Sequence, residues 1–283
     1  MNQSKDNNQD NTKKFESIDV SSLQQSEIKK SPSNSLKSPP TPSTPSESNA
    51  PPAPPTYAGS STAPSGSSSL KQEQEQYILS VKKIIYTSTS GVYGKSAIQD
   101  SVNEDYEVAP TSSYAIAKRF NEIYLKSISE KYKIETFSLR YFNVYGPRQD
   151  NRMVIPKFFE QALLNIPLTV YGNGNQTRDF TFIDDTINAT LLIAEKCKGN
   201  GIFNIARGTD TTMNDLANEV IKITESKSKI KHEDAPFLRF DFDVDKRCGD
   251  SSKLKQLTGY KPEINLNEGL IKTLKYIKEN EKI

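Results

Sequence analysis

Two incompatible compositions meet near residue 80, and that break decides what this chain can fold into. Ten of its 16 prolines lie between Pro32 and Pro64, among Ser, Thr, Asn, Gln and Ala, with almost no branched apolar residues. Such a segment cannot bury enough apolar surface to offset the entropy of ordering it, so residues 1–78 are expected to be a disordered Ser/Pro-rich low-complexity arm. From residue 79 to 283, apolar runs alternate with helical periodicity over a length that suits one α/β domain or a domain with a lobe. The arm carries four hydroxyl-proline pairs (Ser31, Ser38, Thr41, Thr44) and P-x-x-P spacings from Pro39 to Pro55. Docking segments use such patterns, and low-complexity composition also generates them by itself.

Charge narrows the function classes. Lys and Arg number 37 against 35 Asp and Glu, a formal charge of +2, so no single-sign field favours nucleic acid or an acidic membrane surface. No apolar run approaches the length of a membrane span. The N-terminus M-N-Q-S-K-D lacks the apolar stretch of a secretory signal, and the first Arg is Arg119, which argues against an Arg-rich transit peptide. A cytoplasmic protein is expected. Cys197 and Cys248 have no metal-ligand spacing and read as free thiols, and no metal is expected.

Along the body, K-K-I-I-Y-T-S-T reads as a buried parallel strand that ends in small hydroxyl residues. A helix from about Ser113 to Lys133 follows, opened by Pro110, Thr111 and Ser112, and Glu135–Tyr141 reads as the next strand. Strand, helix and strand make a parallel βαβ unit. Further on, the pattern predicts a helix over 154–165, a strand over 168–171, a turn at G-N-G-N (Gly172–Asn175) and a strand over 178–183. Helices over 186–198, 213–224 and 266–278 complete the reading, with a strand over 202–205. Asp184 and Asp185 are expected to cap the helix they precede.

The residues able to carry chemistry cluster around T-S-T-S-G-V-Y-G (Thr87–Gly94) and Y-A-I-A-K (Tyr114–Lys118). A lone Y-x-x-x-K is weak, because 13 Tyr and 29 Lys in this chain give about one such match by chance. Context strengthens it. Tyr114 and Lys118 share a helix face at i and i+4, and Thr89 stands at the carboxyl end of the preceding strand, where open α/β sheets place their ligands.

These motifs, with R-Y-F-N-V-Y-G-P-R (Arg140–Arg148), V-Y-G-N-G-N-Q-T-R-D-F (Val170–Phe180) and a late basic position at Arg247, appear in collinear order. The body thereby resembles the extended short-chain dehydrogenase/reductases in their NAD-dependent epimerase/dehydratase branch, of the UDP-glucose 4-epimerase-like kind. The resemblance implies a partial Rossmann-like parallel sheet with a C-terminal mixed α/β substrate lobe. It also implies catalytic roles for Thr89, Tyr114 and Lys118, contact of Tyr114 and Lys118 with NAD, and substrate contacts from Asn143, Arg178 and Arg247. Lys246 could align in place of Arg247. In that scheme Tyr114 is the base that takes a sugar hydroxyl proton, Lys118 favours its phenolate, and Thr89 orients the hydroxyl. An Arg suits the diphosphate because its fork grips two oxygens.

Dehydratases of the family carry Asp-Glu after the catalytic Thr, and decarboxylases carry a Glu before V-Y-G, whereas this chain has Ser90-Gly91. Oxidation, rotation of the keto-sugar and return of the hydride remain, which is 4-epimerisation of a UDP-hexose. The Gly-rich cofactor turn is absent, since residues 1–80 contain only Gly59 and Gly66. The missing half is expected to leave the strand edge at Ile84 and Ile85 unpaired, to be covered by a homodimer or another partner. Several classes therefore stay open: an epimerase completed by a partner chain, a non-catalytic remnant that binds a nucleotide sugar, a UDP-glucuronate decarboxylase-like enzyme, and a scaffold acting through its Pro-rich arm.

Overall fold

A computed structural model describes Ile18–Asp19 and residues 81–96, 101–234 and 244–280. The motifs of the arm between Ser31 and Pro55 lie outside the described residues, as does nearly all of 1–78. One element falls inside that segment: β1 (Ile18–Asp19) pairs in parallel with β8 (Cys197–Lys198).

The body is mixed α/β. Its centre is a parallel sheet in the order β2 (Lys83–Thr89), β3 (Glu135–Tyr141), β9 (Asn200–Ile205). Strand alternation gives the sheet two different faces. Phe137, Leu139, Phe203 and Ile205 point one way, into a core with Ala189 and Ile193 of α3 (Ile183–Lys196) and Leu254 of α5 (Ser252–Thr258). Residues of the opposite parity, Ser88 and Arg140, face α1 (Ser113–Tyr132) and meet its Glu122. One face of the sheet is thus packed by oil and the other by a buried polar network.

Local chemistry explains the ends of α1. Ser112 accepts the Ala115 N–H as N-cap, and Lys133 adopts a left-handed backbone with its N–H on the Ser129 carbonyl. Its buried positions, Ala115, Glu122, Leu125 and Ser129, recur at helical spacing. Among the described residues β2 is an outer strand, and Ile84 and Ile85 on it are half-buried.

The lobe is built from α2 (Val154–Leu163), β5 (Leu168–Tyr171), α4 (Met213–Thr224), β11 (Ile230–Glu233) and α6 (Leu266–Asn280). Ile155, Phe158, Phe159, Leu216, Val220, Leu270 and Leu274 form its core. Two further short ladders stand apart from both sheets: β4 (Val144–Tyr145) pairs with β7 (Thr181–Phe182), and β6 (Thr177–Asp179) pairs with β10 (Asp210–Thr212).

Several boundaries differ from expectation. The strand expected over 178–183 is two short strands broken at Phe180, and α3 begins at Ile183 rather than residue 186. Asp184 and Asp185 do not cap it; Phe182 holds the cap position without a side-chain bond. Asp185 instead accepts the backbone N–H groups of Glu263 and Ile264, at 2.9 and 3.0 Å, and so fixes the segment before α6. The helix over α2 stops at Leu163, because Asn165 takes a left-handed backbone.

Candidate active site

Thr89 ends β2, and its hydroxyl accepts the Gly91 N–H at 3.1 Å. Lys118 reaches back from α1 to the same strand and donates to the Thr87 carbonyl at 2.7 Å. Its ammonium lies 4.9 Å from the centre of the Tyr86 ring and 5.6 Å from that of Tyr114. A Cβ built on Gly91 would sit 3.4 Å from the Thr89 hydroxyl and 3.5 Å from the Ala115 methyl, the residue after Tyr114. The chain therefore brings Thr89, Tyr114 and Lys118 to one spot. Tyr114 is 58% exposed there, so its phenol is accessible to a ligand.

The spot is held from below by buried polar contacts. Glu122, one turn beyond Lys118, accepts from Ser88 at 2.6 Å, from Arg119 at 2.9 Å and from Arg140 through two bonds. Burial opposes the charge of Glu122, but the hydrogen bonds and charge of Arg140, with Ser88 and Arg119, hold its carboxyl below its ordinary range. Arg140 also donates at 3.0 Å to the hydroxyl of Tyr93, the Tyr of V-Y-G, which bonds Asn204 at 2.7 Å. Burial pushes the Tyr93 phenol up to about 12, so it is a neutral structural group.

Asn143 and Arg178 line a single cavity of about 790 Å³ together with Tyr171, Phe180, Lys157 and Arg152. Asn143 follows β3 and donates to the Asp179 carbonyl at 3.1 Å. Arg178, on β6, donates to the carbonyls of Thr177 and Val244 at 2.7 and 2.8 Å. Burial, and then the charge of Arg247, push its guanidinium down to about 10, so it stays cationic at neutral pH. Arg178 and Arg247 together outnumber Asp245, the carboxylate on the same wall whose charge partly offsets them at Arg178, and such a net positive, partly buried place is one that an anion would stabilise. Arg247 enters through backbone register, its carbonyl accepting the Asp179 N–H at 2.9 Å. Lys246 turns instead to Asp210, at 3.8 Å.

Sequence reasoning did not single out Lys157 or Arg152 on the cavity wall, or the sole histidine as a contact there. His232 Nδ1 lies 2.9 Å from the Gly172 carbonyl, beside the turn that forms part of that wall. Gly172, Asn173 and Gly174 do form a turn between strands, as expected. Cys197 and Cys248 are free and buried, and burial raises both thiols. Among the described residues no group of His, Cys, Asp and Glu is arranged for a metal, and no helix is long and apolar enough to cross a membrane.

At the carboxyl end of β2, the exposed Tyr114 and the Lys118 ammonium against its ring are the residues that could hold the nicotinamide end of an NAD molecule. Among the described residues no helix opens on a glycine-rich turn of the kind that takes a pyrophosphate.

The family model for the NAD dependent epimerase/dehydratase family matches residues 73–206. The UDP-N-acetyl-alpha-D-glucosaminuronate decarboxylase of Bacillus cytotoxicus is 34% identical over 212 residues, covering 71% of this chain and 65% of that protein. Human dTDP-D-glucose 4,6-dehydratase is 34% identical over 209 residues, covering 71% and 57%. The crystal structure of the UDP-glucose 4-epimerase of Thermotoga maritima, with UDP-glucose, matches with a TM-score of 0.69 at 33% identity, covering 77% of this chain and 69% of that one. This chain thus spans between 57% and 65% of the length of the two curated relatives.

Proposed function

Since the chain belongs to the NAD dependent epimerase/dehydratase family, we propose that its body carries the catalytic and sugar-nucleotide residues of a 4-epimerase acting on a UDP-hexose. Position 91 carries this choice of reaction. A side chain there would face Thr89 and Ala115, yet the residue is Gly, and the buried Ser90 before it brings no carboxyl group. Elimination and decarboxylation chemistry that draws on an acid at this place is left without one.

NAD supplies, when bound, reversible hydride acceptance. The chain's own residues do the rest. Tyr114, acting as its phenolate, takes the proton of the sugar hydroxyl to become the phenol and later returns it, the Lys118 ammonium lies against that ring, and Thr89 orients the hydroxyl. Asn143, Arg178 and Arg247 hold the diphosphate, with Arg178 and Arg247 supplying charge. The cavity lined by Asn143 and Arg178 supports this, as does the UDP-glucose complex of the Thermotoga maritima relative. Two buried free thiols suit a cytoplasmic setting. The apolar outer face of α1, with Ile116, Phe120, Ile123 and Tyr124 exposed, supports a homodimer or another covering partner.

Calorimetric titration with UDP-glucose tests the reading. Arg178→Ala removes a charged contact to phosphate, a loss on the order of 1.5–3 kcal/mol or more than tenfold in affinity, whereas Tyr114→Phe leaves affinity nearly unchanged. A wild-type chain that does not bind UDP-glucose refutes the proposal.

A further inference from the structure

All three residues assigned to the diphosphate meet at one buried neighbour that the assignment does not use. Asp179 follows Arg178 in the chain, its carbonyl accepts from Asn143 at 3.1 Å, and its N–H donates to the Arg247 carbonyl at 2.9 Å. Its side chain is 0% exposed. One carboxylate oxygen accepts the Arg207 N–H at 3.1 Å and lies 3.4 Å from the Thr181 hydroxyl. The other accepts the N–H groups of Gly208 at 2.9 Å and Gly249 at 3.2 Å, with the Cys248 sulfur at 3.9 Å. Amides from two separate loops therefore converge on one carboxylate. A buried carboxylate held by several amides is rigid, and removing it strands those donors.

On the reading just given, we infer that Asp179 is a positioning residue for the diphosphate site. Its carboxylate fastens the Arg207–Gly208 and Cys248–Gly249 backbones to the strand that carries Arg178, and so sets Arg247 beside it. It acts through these backbones and touches no reacting atom.

The role has a readout that mere stability lacks. Burial pushes the Asp179 carboxyl up to about 6, with the amides of Gly208, Gly249 and Arg207 opposing the rise. Protonation removes acceptor capacity where three donors point, so the loops lose their anchor as pH falls through that value. Among the described residues, the other charged and titratable groups near it are Arg178, Arg247, Asp245, Arg207, the Cys248 thiol, the Lys246–Asp210 pair, Tyr260 and Asp185. His232 lies elsewhere, its Nδ1 2.9 Å from the Gly172 carbonyl.

The experiment is calorimetric titration of the full chain with UDP-glucose, whose diphosphate diester has no group titrating near neutrality, from pH 7.5 to 5. Wild-type affinity should fall about tenfold over that range, following the ionised fraction of a group with a value of about 6. Asp179→Asn should bind about tenfold more weakly at pH 7.5, by the loss of one buried charged hydrogen-bond set, and should lose that pH dependence. Cys248→Ser places a better donor on the same oxygen and should move the fall to lower pH. A folded Asp179→Asn that binds like wild type overturns the inference. If that variant does not fold, a wild-type profile that is flat, or unmoved by Cys248→Ser, overturns it. Binding that ignores Asp179 defeats this inference alone, while no binding by the wild type at any pH defeats the sugar-nucleotide reading and this inference with it.

Discussion

Arg140 closes a two-pronged ion pair on Glu122 between α1 and β3, Nε to Oε1 at 3.0 Å and Nη2 to Oε2 at 2.9 Å. Arg140 is 1% exposed, and the Glu122 side chain is inaccessible. Removing one partner strands the other charge in the interior, which costs about 3–5 kcal/mol, whereas replacing both with apolar groups of similar size is often nearly neutral. Glu122→Gln and Arg140→Met should each destabilise by that order, and Glu122→Leu with Arg140→Met should recover most of the loss. Urea unfolding of the three proteins measures it, and additive losses in the double variant would refute the pairing.

Glu122 and Asp179 give stability opposite pH dependences. The Glu122 carboxyl is held below its unfolded value of 4.5, so its contribution is complete above that pH and is lost as pH falls through the lower folded value. Asp179 is raised from 3.8 to about 6, so the folded state takes up a proton first, and stability falls as pH rises between those values. Unfolding free energies from pH 3 to 8 should show Asp179→Asn with a weaker decline across about pH 4–6. Glu122→Gln should lack the acid loss below about pH 4.5 that this carboxyl contributes. An acid limb unchanged in Glu122→Gln would count against the ion pair as its source.

Gly94, the last residue of V-Y-G, has φ 55° and ψ −136°, and a Cβ there would run into the Ala109 carbonyl. Gly259 is also left-handed, at φ 77°, but a Cβ would meet nothing within 4 Å. Gly259→Ala should therefore cost only the backbone term, about 1–2 kcal/mol. Gly94→Ala should cost clearly more, because the backbone must also move beside the buried Tyr93. Equal losses in thermal unfolding would show that the close approach at Ala109 is not limiting.

Much of this was readable in the chain because local chemistry and tertiary demand agree. The strands Lys83–Thr89, Glu135–Tyr141 and Leu168–Tyr171 show a short apolar run or an alternation of apolar and polar residues, and the helix Met213–Thr224 is capped by Thr212, whose hydroxyl accepts the Asp215 N–H at 2.9 Å. What stayed hidden is stabilised from a distance. I-K-H-E at 230–233 has no apolar alternation and becomes a strand only through its ladder to β5. Asp179 looks like one polar residue in Q-T-R-D-F, because its partners are amides 28, 29 and 70 positions away. Asp185 resembles a helix cap and instead holds residues 263 and 264, which no local pattern records. The pairing of Glu122 with Arg140 is the exception that could have been found: Glu122 continues the Tyr114, Lys118 spacing, and a Glu on the sheet-facing stripe requires a buried cation.

The chain as it stands should not retain NAD through purification. Its sequence contains no G-x-G-x-x-G turn, and its nearest approaches, G-N-G at 172–174 and 199–201, lie in a strand turn and at the start of β9. Neither presents a helix N-terminus to a pyrophosphate. Nicotinamide released on denaturation should be far below one equivalent, and a stoichiometric amount would show that the cofactor is held by a route other than a glycine-rich turn.

Supplying that turn separates the two jobs assigned to the site. When the Gly-rich cofactor half of a relative is fused before Lys82, the fusion should interconvert UDP-glucose and UDP-galactose, and Tyr114→Phe in it should lower turnover by the 10²–10⁴-fold typical of a lost acid/base group, at nearly unchanged UDP-glucose affinity. On the proposed reading the Tyr114 side chain on α1 acts on the proton in transit, whereas the diphosphate is assigned to Asn143 after β3 and Arg178 on β6. Arg178→Ala should show the reverse order of defects, with binding weakened first. Lys118→Met should behave like Tyr114→Phe, because it removes the ammonium that lies against the Tyr114 ring and that ties α1 to the Thr87 carbonyl at 2.7 Å. If the parent fusion turns over and Tyr114→Phe keeps its full rate, the base is another group, and the convergence of Thr89, Tyr114 and Lys118 is structural.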